Sequence, residues 1–253
     1  MNISNYNINK NAGNNQEKET KENAKMTQET MTGLDVYEKA FSEIITRDGA
    51  KEMLDWLTST DFFEAPASTN FHSNFKGGLA SHSIQVYKNL RKIVNTDWMQ
   101  EMLGISPSEE TMAVIALLHD VCKVNNYTYK ENARKYKDDT LKNDKGYPGV
   151  WLDLPGYEIN KENNMPGHGE LSVFMINQYM RLSLEESFAI RYHMGLYEGE
   201  NKMREVSGVF ANYPLAFALN LADDMASKYC EKTITQEDKI QIEHDKYLAN
   251  KKK

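Results

Sequence analysis

Cysteine is scarce: only two occur in 253 residues, Cys122 and Cys230. Both lie in or beside apolar helical segments, with no zinc-ligand spacing. That excludes a disulfide framework and a cysteine zinc site, and both read as reduced core thiols of a cytoplasmic protein. Long apolar runs are missing as well. None approaches the ~18 residues that a membrane-spanning helix needs, so no membrane association is expected. Basic charge is in deficit, with 30 bases against 37 acids and a net charge of -7. This argues against a nucleic-acid coat, and no stable nucleic-acid complex is expected. The opening MNISNYNINKNAGNNQEKETKENAK has no apolar h-region, so a secretory signal is not expected either. No internal repeat is visible.

What is present suits a globular chain. Hydrophobic residues make up 40% and charged residues 26%, enough for a sizeable core. The first 30 residues include eight Asn and few large apolar side chains, so residues 1–32 read as a disordered tail, or alternatively a partner-binding arm. From about Thr235 the chain is charged and ends in three lysines, which predicts a peripheral helix and charged tail over 235–253. The folded domain is expected over 33–234. Apolar positions three or four apart predict helices over 34–46, 48–58, 79–94, 108–121, 169–181, 184–194 and 214–230. The 108–121 helix opens on Ser108 and then turns apolar on every side, which places it at the centre of the fold. Residues 126–160 break this rhythm. Tyr127, Thr128 and Tyr129, the turn signal Gly146-Tyr147-Pro148-Gly149 and the run Val150–Leu154 predict a β-hairpin insert. Such long inserts are often functional flaps.

Six histidines occur: His72, His82, His119, His168, His193 and His244. His82 shares a helical stripe with Val86, Leu90 and Ile93. His119 ends the apolar helix and is followed by Asp120. His168 aligns with Leu171 and Met175, and His193 lies one turn after Ala189 and Ile190. Asp223 falls on the face of Leu215, Leu219, Ala222 and Ala226, so it points inward. Asp224 shares the other face with Asn220 and Lys228 and points outward. Singly, each inward group has an ordinary reading as a hydrogen-bonded core residue. Together, four histidines and two aspartates on five segments leave many buried polar groups needing partners at once. A metal pair satisfies them jointly, and imidazole with carboxylate suits Mn, Fe, Zn or Co.

The ordered segments FHSNFKGGLASHS, LLHDVCK, GHGELS, YHMG and LADDMAS resemble the HD-domain metal-dependent phosphohydrolases, and within them a stand-alone bacterial branch. The resemblance spans roughly residues 34–230. It implies a mainly α fold, an HD helical bundle, here with the hairpin insert near 126–160. It further implies that His82, His119 and Asp223 bind a first divalent ion and that Asp120 bridges to a second. His168 and His193 would hold the second ion, the metals being drawn from Mn, Fe, Co, Zn or Mg. Lys123, on the lysine of the HDxxK pattern, would contact substrate phosphate or the attacking water. The chain departs from the common pattern at Cys122, where glycine is usual, and at Met194, where many two-metal members carry a second histidine.

His72, before the Gly77-Gly78 turn, is a candidate general acid, or equally a histidine hydrogen-bonded to its loop. Tyr127, Tyr129, Lys130, Arg134, Lys135, Tyr147 and Trp151 of the insert are candidate substrate contacts, or residues that pack the hairpin onto the body. The implied function is metal-dependent hydrolysis of a phosphoester in a nucleotide or nucleotide-derived small molecule. The alternatives are a phosphodiesterase acting on cyclic dinucleotides or short RNA, and a non-catalytic metal-binding regulatory module.

Overall fold

The structure is a computed structural model that describes residues 33–160 and 167–251; the expectation for residues 1–32 falls outside these. Ten α-helices are described. In chain order they are α1 (Gly33–Ile44), α2 (Ala50–Ser59), α3 (Gly78–Val94), α4 (Asp97–Leu103), α5 (Glu109–Leu118), α6 (His168–Ile176), α7 (Leu184–Arg191), α8 (Met203–Asn212), α9 (Pro214–Met225) and α10 (Gln236–Lys251). Short 3-10 turns follow α5 and α7, and a π-turn, Ala226–Cys230, extends α9. Strands β1 (Tyr127–Lys142) and β2 (Pro148–Ile159) form the expected hairpin between α5 and α6.

Helix α5 occupies the centre. Every residue from Met112 to Leu118 is buried, as its apolar character on all sides requires. Ser108 caps it by accepting the Thr111 amide at 3.0 Å. Helices α1, α3 and α7 pack around it, and α9 packs on α3 and α7. Tyr37 of α1 donates its hydroxyl to the Leu117 carbonyl at 2.7 Å, so even this buried polar group is satisfied. Truncating Leu117 or Leu118 to Ala should cost about 2–5 kcal/mol, the usual range for a large aliphatic core residue.

Two glycines shape the site. A Cβ at Gly78 would overlap the Ser73 carbonyl, so only glycine lets the 67–77 loop lie against the start of α3. A Cβ at Gly169 would overlap the Arg191 backbone. Glycine there lets the start of α6 abut the end of α7, and so brings His168 beside His193.

The hairpin carries its own small core of Leu141, Leu152 and Leu154, covered by Ile240 and Tyr247 of α10. Asp138 pairs with His244 at 2.8 Å, tying β1 to that helix. Helix α10 buries no residue completely. Cys230 corrects an expectation. It is exposed rather than in the core, because the π-turn rotates it off the buried face of α9. Cys122 is half-buried, and both thiols are free. Trp151 and Tyr147 do not pack onto the body either; each is about two-thirds exposed.

Candidate metal centre

Five elements converge on one cluster. His82 comes from the body of α3, and His119 and Asp120 follow α5 directly. His168 opens α6, His193 lies just past α7, and Asp223 comes from α9. His82, His119, Asp120 and His193 are each no more than 2% exposed. The sequence-predicted ligand set is therefore brought together completely.

The geometry is organised by Asp120. Its Oδ2 lies 3.5 Å from His82 Nε2 and 3.4 Å from His119 Nε2. Its Oδ1 lies 2.6 Å from His168 Nε2 and 3.5 Å from His193 Nε2. Each carboxylate oxygen thus serves a different histidine pair. Asp223 Oδ1 approaches His82 Nε2 at 3.2 Å, on the first pair's side.

Helix ends set the histidine tautomers. His119 Nδ1 donates to the Ala116 carbonyl at 2.9 Å, and His193 Nδ1 donates to the Ile190 carbonyl at 2.7 Å. Both acceptors lie three residues back, where a terminating helix leaves carbonyls free. A carbonyl can only accept, so Nδ1 carries the proton in each ring and, in the neutral imidazole, Nε2 presents a lone pair. His82 Nδ1 is held in the same way, 2.7 Å from Glu231 Oε1.

This donor set fits a cation. The Nε2 atoms of His82 and His119 face each other at 3.2 Å, so a proton or a metal cation must lie between them. His193 Nε2 is buried and makes no hydrogen bond; its 3.5 Å approach to Asp120 is too long for one. Burial opposes charge on both aspartates. Lys123, His119 and His168 nevertheless hold the Asp120 carboxyl well below its usual range, and the His82 hydrogen bond does the same for Asp223. Burial also opposes charge on His82, yet the carboxylates of Asp223 and Glu231 push its imidazolium up to about 10. The cluster demands positive charge.

Lys123 stands on the 3-10 turn after Asp120 and donates its ammonium to Asp120 Oδ2 at 2.6 Å. His72 is half-buried, its ring 5.0 Å from that of His82, and burial with the neighbouring His82 lowers its imidazolium. Both line a cavity of about 760 Å³ that opens over the cluster. Of the seven candidate contacts in the insert, Tyr127 alone lines this cavity. Asp224 sits at the rim, its side chain 40% exposed against 17% for Asp223, and pairs with Lys228 at 2.6 Å.

Sequence reasoning missed several residues here. Glu231 holds His82, and Asn220 donates to the His193 carbonyl at 2.7 Å. Phe71 and Tyr197 stand exposed on the cavity wall. Cys122 Sγ lies 3.3 Å from His168 Nδ1, which gives the residue in the usual glycine position a contact of its own.

The model of the HD domain family matches residues 79–249, and the chain belongs to that family. HD domains bind divalent metal ions, which agrees with the His and Asp clusters found here. Over 69 residues the chain is 41% identical to the dihydroneopterin 2',3'-cyclic phosphate phosphodiesterase of Methanocaldococcus jannaschii. The aligned stretch covers 27% of this chain and 27% of the relative's own length. No solved structure matches the chain.

Proposed function

We propose that this protein is a metal-dependent phosphohydrolase that cleaves a phosphoester in a nucleotide or nucleotide-derived small molecule. The observation that carries this reading is the division of Asp120, one oxygen toward His82 and His119 and the other toward His168 and His193. A carboxylate so placed would be shared by two divalent cations, one beside each histidine pair. His82, His119, Asp120 and Asp223 would hold the first cation, and Asp120, His168 and His193 the second. Divalent ions bound there supply Lewis acidity, polarising a phosphoryl oxygen and lowering the pKa of water.

The chain's own groups do the rest. The Lys123 ammonium presents positive charge to a substrate phosphate at the cavity floor. His72 faces the same space and, with its imidazolium lowered by burial and His82, is placed as a neutral ring to hydrogen-bond the substrate. Phe71, Tyr127 and Tyr197 offer aromatic surface for a planar ring, and Lys228 adds a cation at the rim. A cavity of this size suits a small molecule, since such sites usually run about 300–1,000 Å³.

The likeness to a cyclic phosphate phosphodiesterase favours a second, narrower reading in which the bond cleaved is a diester on a small molecule. We place the catalytic unit in residues 33–234, with α10 supporting the hairpin. No helix among the described residues is long and apolar enough to cross a membrane. Two free thiols, one exposed, suit the reducing cytoplasm.

The test is a hydrolysis panel of nucleoside monophosphates, 2',3'-cyclic phosphates, cyclic dinucleotides and short RNAs, each with Mn, Fe, Co, Mg and Zn. Turnover of small phosphoesters supports the proposal. Turnover of RNA alone, or of nothing while metal still binds, overturns it.

A further inference from the structure

We infer that Glu231 is a positioning residue for His82, acting on the opposite ring nitrogen from the one that faces Asp223; this rests on the metal-binding reading above. One stretch of chain supplies both carboxylates. Asp223, near the end of α9, lies 3.2 Å from His82 Nε2, and Glu231, just past the π-turn, lies 2.7 Å from His82 Nδ1. The π-turn is what brings the chain back. The Glu231 amide donates to the Ala226 carbonyl at 3.1 Å, a five-residue closure that a plain α-helix would not make.

Glu231 is itself held. Its side chain is 5% exposed, and Oε2 accepts the Ser73 hydroxyl at 2.6 Å. Ser73 adopts a positive φ of 47°, unusual for a side chain with a Cβ, and donates its amide to the Lys232 carbonyl at 2.8 Å. Asn74 makes a reciprocal pair with Ile234. Its Nδ2 donates to the Ile234 carbonyl at 2.9 Å, and the Ile234 amide donates to Asn74 Oδ1 at 2.8 Å. The 231–234 segment is thus clasped to the loop that carries His72, and the clasp aims one carboxylate at one imidazole.

A carboxylate on Nδ1 does two things for a ligating histidine. It fixes the proton on Nδ1, so Nε2 faces the cluster as a donor, and it raises the donor strength of that nitrogen. His119 and His193 take their equivalent hydrogen bond from backbone carbonyls at helix ends. His82 sits mid-helix, where carbonyls are already used, so it needs a side chain from elsewhere. Glu231 fills that place.

The experiment compares full-length wild type, Glu231→Gln, Glu231→Leu and Ser73→Ala. Zn²⁺ affinity is measured by calorimetry after chelator treatment, and the His82 ring nitrogens are observed by ¹⁵N NMR. Outer partners of metal ligands typically change affinity by about 10–100-fold. Glu231→Leu should lose binding in that range and shift the His82 Nδ1–H signal upfield. Glu231→Gln keeps an acceptor and should lose less while retaining the protonated Nδ1. Ser73→Ala removes one hydroxyl but leaves the carboxylate and the backbone and Asn74 bonds that aim it, so its Zn²⁺ affinity should stay near wild type. Equal affinity in wild type and a folded Glu231→Leu would overturn the inference and leave the metal reading standing. Equal losses in Ser73→Ala and Glu231→Leu would overturn it in favour of a purely structural clasp. A wild type that binds no Zn²⁺, Mn²⁺ or Fe²⁺ would sink the metal reading and this inference with it; an unprotonated His82 Nδ1 in wild type would sink the inference alone.

Discussion

His82 and His119 meet nitrogen to nitrogen at 3.2 Å, although one lies mid-helix and the other lies 37 positions later, just beyond the end of a second helix. Neither ring can turn away. His82 is pinned by Glu231 and His119 by the Ala116 carbonyl. Two nitrogens so fixed need positive charge between them, a proton or a shared metal cation.

Asp120→Ala should reduce hydrolysis by more than about 100-fold, beyond the loss expected for an outer partner. No neighbouring side chain can replace a carboxylate that faces both histidine pairs. The fold should survive, since Asp120 lies at the site and not within the aliphatic core. Steady-state kinetics with a circular-dichroism melt decides this. An active variant would remove the bridging role.

Asp223 and Asp224 are adjacent but should respond differently. Asp223→Ala removes the oxygen beside His82 and should nearly abolish activity and first-ion binding. Asp224→Ala breaks a rim ion pair with Lys228, and such pairs contribute about 0–1 kcal/mol. Its activity should stay within a few-fold of wild type. Equal losses in the two variants would contradict the facing assigned to α9.

Metal content tests the two proposed ion sites. Elemental analysis of protein purified without chelators should give about two ions per chain for wild type, following the two-ion template. His168→Ala and His193→Ala should each bring this toward about one. His82→Ala should instead remove the first ion. A wild-type content of one, unchanged in His168→Ala, would overturn the two-ion proposal.

Acid should loosen the hairpin from α10. Hydrogen bonds from His244 and Thr140 lower the Asp138 carboxyl to about 2. The unfolded value is about 3.9, so the folded state binds this proton less readily than the unfolded state. Its stabilisation is therefore present above about pH 4 and is lost as pH falls toward about 2. Asp138→Asn should melt below wild type at pH 7, and the gap should close over that window. A gap that stayed constant from pH 6 to pH 2.5 would rule out the ionised carboxylate as its source.

Much of this site was legible in the order of residues. The all-apolar run from Met112 to Leu118 could only be a central helix, so the His119-Asp120 pair at its end had to emerge at the core's edge. Helical spacing put His82 on the buried stripe of α3. The same arithmetic separated Asp223 from Asp224, because a 3.6-residue period assigns neighbouring positions to different faces. The turn signals around Pro148 and the β-branched and aromatic residues beside them marked the hairpin.

Other features were decided only by tertiary structure. Local periodicity ends where a helix stops being regular, and the π-turn at Ala226–Cys230 is such a place. It exposes Cys230 and delivers Glu231 to His82, an approach between residues 149 positions apart that no local spacing encodes. Nor could the insert show which of its aromatics reaches the cavity. Strand alternation assigns faces, but how the hairpin leans on the helices depends on the docking of α10 against Leu141, Leu152 and Leu154. Residue order determined which side chains turn inward along each helix. The crossing of those helices, fixed by packing around α5 and by close contacts at Gly78 and Gly169, decided which of them meet.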